Sequence, residues 1–178
     1  SRTRLRDAFT ELELRGLIRR EPNRGAVVTR LALAEIFAIY EVREALEGIA
    51  ARLAAQNSQP GSWQYWVEQF KLGGTLHDHV ESGEVEAYFG QYDRLRAEIV
   101  IAANNPVLAA MLDGILEKTR MIMRRVQILP GRAKQALAEH RAVVDALNAA
   151  DPDEAERLRR ENIRSAVATL RRFQYFVV

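Results

Sequence analysis

The sequence predicts an all-α protein: an antiparallel bundle of six or seven helices, preceded by a short helix and a basic β-hairpin. Three observations lead there. The 178 residues are 48% hydrophobic and 28% charged, with ten Gly, five Pro and abundant Ala, Leu, Glu and Arg, a composition that favours helices over strands. From Leu31 onward apolar residues recur three and four apart, interrupted only by short breaker clusters. Cysteine is absent and no apolar run approaches the roughly 20 residues of a membrane span. A disulfide scaffold and a membrane protein are therefore excluded, and the Arg-rich start is no signal peptide, so a soluble cytoplasmic protein is expected.

The net charge of +2 is unevenly spread. Ser1 to Arg30 carries eight arginines against four carboxylates, whereas the remainder has eighteen basic side chains against twenty acidic ones. A basic segment on a mildly acidic body suits polyanion binding, although a solvated arginine face gives the same count. Ser1 can cap a helix whose apolar stripe is Leu5, Ala8, Phe9 and Leu12, with Gly16 as its stop. Leu17-Ile18-Arg19-Arg20 and Ala26-Val27-Val28-Thr29 then flank Pro22-Asn23-Arg24-Gly25, a strand, turn and strand. A helix followed by a basic hairpin is the second half of a winged helix-turn-helix, in which the helix enters the major groove and the hairpin leans on the backbone or minor groove.

The body reads as six helices: Leu33 to Gln56, Trp63 to about Val80, Glu84 to Ala103, Val107 to Ile128, Arg132 to Ala149 and Asp153 to Phe176. In the first, Ile36, Phe37, Tyr40, Val42, Leu46, Ile49 and Leu53 form the apolar set. The breaks fall at Asn57-Ser58-Gln59-Pro60-Gly61, Ser82-Gly83, Asn104-Asn105-Pro106, Leu129-Pro130-Gly131 and Ala150-Asp151-Pro152. Short links between long helices describe a bundle.

Ser1-Arg2-Thr3-Arg4-Leu5-Arg6-Asp7-Ala8-Phe9, Leu14-Arg15-Gly16-Leu17-Ile18 and Pro22-Asn23-Arg24-Gly25-Ala26 resemble the recognition helix and wing of GntR-family bacterial transcription regulators. Ile39-Tyr40-Glu41-Val42-Arg43-Glu44-Ala45-Leu46-Glu47, Ala102-Ala103-Asn104-Asn105-Pro106 and Glu139-His140-Arg141-Ala142-Val143-Val144-Asp145 resemble the FCD ligand-binding domain of the FadR-type branch of that family. The resemblance implies residues 1–30 as part of a winged helix-turn-helix and residues 31–178 as an effector-binding and dimerisation domain. It puts Ser1, Arg2, Thr3 and Arg6 toward the DNA groove and Arg24 and Gly25 at the wing tip; Arg4 reads as a solvated side chain. Because the family's DNA-binding unit has two helices before this one and the sequence starts without Met, a trimmed start and weak DNA binding by the head alone are expected.

Members of the family commonly hold a divalent metal with one Asp and three His. Here His140 stands at one such position and Asn162 at another, while the remaining two are Tyr92 and Arg96, or Asp93 and Ala97 in the alternative register. The first register keeps Leu95 and Ile99 in the apolar stripe and is preferred. With fewer than three ligand side chains no tightly held metal is expected. The implied effector site is instead Arg43, Tyr92, Asp93, Arg96, His140 and Asn162, where guanidinium groups would receive a carboxylate or phosphate. Arg96 facing solvent, or pairing with Asp93 at i, i+3, remains open. His77 and His79 read as surface residues.

An enzyme is disfavoured. No Walker loop, Gly-x-Gly-x-x-Gly or Cys nucleophile is present, and no His follows a Glu by three. The expected partners are double-stranded DNA, a small anionic organic effector and a second copy of the chain, with no membrane and no cofactor.

Overall fold

The structure, a computed structural model, describes residues 1–14, 16–22 and 25–177. Helix α1 (Arg2–Leu14) leads into the antiparallel hairpin β1 (Ile18–Glu21) and β2 (Gly25–Val28), in register from Ile18↔Val28 to Glu21↔Gly25. Arg20 ties the hairpin to the helix, its Nε 3.0 Å from Glu13 and its Nη2 donating to Thr10 Oγ1 at 3.4 Å. Arg19 pairs with Glu21 at 2.7 Å. Both arginines therefore serve the hairpin itself. Among the described residues nothing closes over the stripe of α1, where Leu5 is 60% exposed and no residue of the helix is buried.

Four residues separate β2 from α2 (Leu33–Gln56), the long helix about which the body is built. The other elements are α3 (Gln64–Phe70), α4 (Thr75–Glu81), α5 (Val85–Ala102), α6 (Pro106–Gln127), α7 (Arg132–Asn148), α8 (Pro152–Arg172) and the short α9 (Gln174–Val177). The most extensive helix pairing joins α2 to α8, with α7 laid against α8. Two starts follow one rule. Asn105 and Asp151 accept the amides of Leu108 and Glu154 at 3.0 and 3.1 Å, each followed by Pro at the first helical position, where a missing N–H costs nothing.

The expected helix from Trp63 to Val80 is in fact two, broken over Lys71–Gly74. The Gly74 amide turns back to Lys71 O at 2.8 Å, and a Cβ there would meet the backbone carbonyls of Glu68 and Gln69, the latter at 2.6 Å. Backbone cannot yield as a side-chain tip can, so Gly74→Ala is expected to destabilise by about 1–3 kcal/mol. Urea unfolding followed through the buried Trp63 and Trp66 checks this. The helix expected from Asp153 to Phe176 likewise divides, into α8 ending at Arg172 and the short α9.

On α2, Val42 and Ile49 face outward instead of joining the core. The inner face is Ile36, Tyr40, Arg43, Glu47, Ala50, Ala51, Ala54 and Ala55. Its small residues let α8 approach closely, and its two ends enter different apolar clusters. Ile36 and Tyr40 pack with Ile122, Val126, Ile163 and Leu170. Ala50 to Ala55 pack with Trp66, Tyr92, Leu95, Leu112 and Leu147. Arg43 and Glu47 lie between the two.

Candidate functional site

A belt of polar side chains crosses the bundle where those clusters meet. Glu47 is 5% exposed and takes Arg43 at 2.7 Å, one helical turn before it, and Arg159 of α8 on its other oxygen. Arg96 of α5 stands 4.0 Å from that same oxygen. Arg159 also donates to Tyr92 Oη at 2.7 Å and to Asn162 Oδ1 at 2.9 Å. Asn162 donates to Glu139 at 2.7 Å, and Glu139 receives Arg132 at 2.9 Å. The Tyr92 ring stacks on His140 with centroids 3.9 Å apart, and Tyr88 Oη lies 2.7 Å from His140 Nδ1.

The electrostatics follow from burial and neighbours. Burial pushes the Glu47 carboxyl up, but Arg159, then Arg43 and Arg96, outweigh it and hold the group well below the carboxylate range. His140 is kept neutral, well below its ordinary 6.5, by burial and then by Arg159 and Arg132. Burial also raises the Tyr88 phenol, so Tyr88 stays protonated and shares one hydrogen bond with the neutral His140, its direction set by the imidazole tautomer. Burial lowers Arg96, which Glu47 only partly offsets. Across the belt four guanidinium groups (Arg43, Arg96, Arg132, Arg159) meet three carboxylates (Glu47, Asp93, Glu139). Asp93 is shared with the surface Arg120 at 2.6 Å. Among the described residues the belt therefore holds one more guanidinium than carboxylates.

All six residues expected at the effector site lie on this belt or its rim. Arg43, Tyr92, His140 and Asn162 are buried within it. Arg96 combines two of the alternatives, reaching inward toward Glu47 while pairing with Asp93 at 3.3 Å. Asp93 sits at the rim. Sequence reasoning missed Glu47, Tyr88, Arg132, Glu139 and Arg159 as site residues. His77 and His79 are half-buried rather than fully exposed, bonded to Asp78 and Glu84 at 3.1 and 2.7 Å. In the head, Ser1, Arg2, Thr3 and Arg6 stand exposed at the first turns of α1, and Gly25 opens β2 with φ +76°, a conformation that suits glycine in a tight turn. Arg24 lies outside the described residues.

Three cavities touch this region. The largest of these three, about 660 Å³, is an open cleft between α5 and α6 whose charged lining is Asp93, Asp113 and Glu117 with Arg96 and Arg120, above the apolar Val100, Leu112 and Leu116. Arg96, Val100, Leu112 and Leu116 also wall a small cavity of about 10 Å³ against Glu47 and Arg159. Another of about 30 Å³ lies on the other side of the belt, between α2, α6, α7 and α8.

Comparison with known proteins fits this arrangement of a small head on a helical body with a polar centre. Residues 38–165 match the FCD domain. The chain belongs to the FCD-domain family, the FadR-type branch of the GntR regulators. It is 30% identical over 160 residues to a probable D-xylose utilization operon transcriptional repressor of Paenarthrobacter nicotinovorans, covering 88% of this chain and 67% of that protein. Among solved structures it resembles McbR/YncC of E. coli, with a TM-score of 0.80 at 22% identity over 98% of this chain and 82% of that one. It also resembles Lar, which controls the expression of the Listeria monocytogenes agr system, with a TM-score of 0.65 at 16% identity over 97% and 81% of the two chains. The family and the curated relative are transcription regulators, not enzymes. No helix among the described residues is long and apolar enough to cross a membrane.

The FCD metal does not fit these side chains. Among the described residues no three His, Cys, Asp or Glu gather as a metal would need. Asn162, in place of a His, has its Oδ1 taken by Arg159, and Arg96 brings a fixed positive charge where a ligand would stand.

Proposed function

We propose that this FCD protein is a ligand-responsive repressor that binds a palindromic operator as a homodimer and is modulated by a small anionic metabolite held in the bundle without a resident metal. The observation that supports it is the cation excess of the belt, since burying an unmatched guanidinium is costly and an anion removes that cost. Residues 1–30 form the DNA-contacting unit, working in the cytoplasm, and residues 31–178 the sensor. Coupling runs through α2, because the helix that carries Tyr40, Arg43 and Glu47 begins four residues after the wing. A second copy would cover the exposed Ile101 of α5 and Val107 and Met111 of α6.

Thermal unfolding against a panel of small carboxylates and phosphates tests the sensor. At a hundredfold excess over Kd the right class raises Tm by roughly 5 °C or more, chelator leaves the rise intact, and Arg43→Ala removes it. The small size of the two interior cavities favours a second reading, an effector-free dimerisation module filled by its own side chains. Silence across the panel would select it. The DNA-contacting unit has its own test: in the full-length protein, Arg2→Ala and Arg6→Ala are each expected to lower the slope of log affinity against log salt by about 1 on duplex DNA, with Tm unchanged.

A further inference from the structure

Four residues, Thr29 to Ala32, join the hairpin to α2, and fully extended they would let the two parts separate by about 14 Å. The structure does not leave them free. The Thr29 amide donates to Leu17 O at 2.9 Å, and the Leu17 amide to Leu12 O at 2.9 Å, so the start of the link is bonded through the hairpin to α1. At the other end the Ala32 amide donates to Glu35 Oε2 at 2.8 Å, and the Ala32 carbonyl accepts the Ile36 amide at 3.0 Å. Between them Leu31 is half-buried against the cluster of Ile36, Tyr40, Ile122, Val126, Ile163 and Leu170. Only Arg30, exposed to solvent, has no such hold among the described residues. Flexible linkers are rich in Gly and Ser. This one has neither, and its Leu packs.

We infer that Leu31 positions the DNA-contacting head on the sensor, its seat in that cluster turning a four-residue link into a stiff arm. This rests on the reading of residues 1–30 as the DNA-contacting unit, and adds to it the residue that fixes the unit's posture. The seat also lies close to the belt. Tyr40 belongs to the cluster, and its ring carries the Arg43 guanidinium 4.6 Å from the centroid, so a change at the belt reaches the packing that holds Leu31 through a single side chain. A head held in one posture has little freedom to lose on meeting DNA, whereas a swinging one must first be ordered. Leu31 therefore acts on affinity without touching a phosphate.

Brief trypsin digestion of the full-length protein tests the anchor, because Arg30 puts a cleavable bond directly before Leu31. With each rate taken relative to the same bond in a matching free peptide, Leu31→Ala should speed cutting after Arg30 about tenfold, through local opening of the link. Leu31→Met, which still packs, should stay at the parental rate. On mixed-sequence duplex DNA, Leu31→Ala should weaken binding about threefold or more, with the slope of log affinity against log salt unchanged because no phosphate contact is lost. A side chain that served only to stabilise the bundle would lower Tm and leave the DNA affinity of the folded protein as it was. Parental cutting after Arg30, parental DNA affinity or a lowered salt slope in Leu31→Ala overturns the inference and leaves the DNA-contacting unit standing. If the parent protein shows no salt-dependent binding to duplex DNA, both fall.

Discussion

Glu47→Gln is expected to lower the unfolding free energy by about 3–5 kcal/mol, the range for breaking a buried ion pair from one side. The substitution keeps shape and volume, so cavity formation contributes little. What changes is that Arg43 and Arg159 lose their carboxylate in a bundle interior where water cannot replace it, while Arg96 loses a distant partner and keeps Asp93. Arg159→Met should cost less on the Glu47→Gln background than alone, because the carboxylate it would strand is already gone; a double-mutant cycle in urea reads the coupling. Added chloride or acetate should stabilise Glu47→Gln more than the parent protein. A loss under about 1 kcal/mol would mean that the arginines are adequately solvated and the belt is not the charged interior described above.

Acid should weaken the fold in two stages. His140 takes up no proton in the folded chain but does so near 6.5 once unfolded, so stability is level above that pH and falls below it, toward its depressed folded value. Glu47 stays ionised in the fold and protonates near 4.5 when unfolded, so its contribution is present above that pH and drains away as pH falls further. Each group contributes a slope approaching about 1.4 kcal/mol per pH unit within its window. Urea unfolding at pH 7.5, 5.5 and 4 should show a drop at each step, and His140→Gln should flatten the first while leaving the second. Stability that stays flat or rises from pH 7.5 to 5.5 contradicts a buried neutral His140.

How much of this could be read from the sequence depends on what each helix had to say. Leu95 and Ile99 fixed the rotation of α5, which turned Tyr92 inward and left Asp93 at the rim. Arg159 was harder. It sits among Arg157, Arg160 and Arg164 on the most polar long helix, and only the stripe Ala155, Arg159, Asn162, Ile163 and Leu170 distinguishes it from its solvated neighbours. Glu47 follows Arg43 by four, an ion-pair spacing more common on surfaces than inside, and nothing local says that both are buried. On α2 large apolar side chains drew attention to Val42 and Ile49, whereas the alanines are the residues that pack against Trp66, Leu95, Leu112 and Leu147. The break before α4 falls at Gly73-Gly74, where Gly73 takes φ +74° and a Cβ on Gly74 would meet backbone.

The most direct measurement is the electron density of this protein crystallised with the acid that stabilises it most. The predicted result is a carboxylate inside the bundle, against the Arg43 guanidinium, with Glu47 still bonded to Arg159. Finding that acid only on the outer surface, with the belt unchanged, would contradict the claim that the buried guanidinium groups are there to receive an anion.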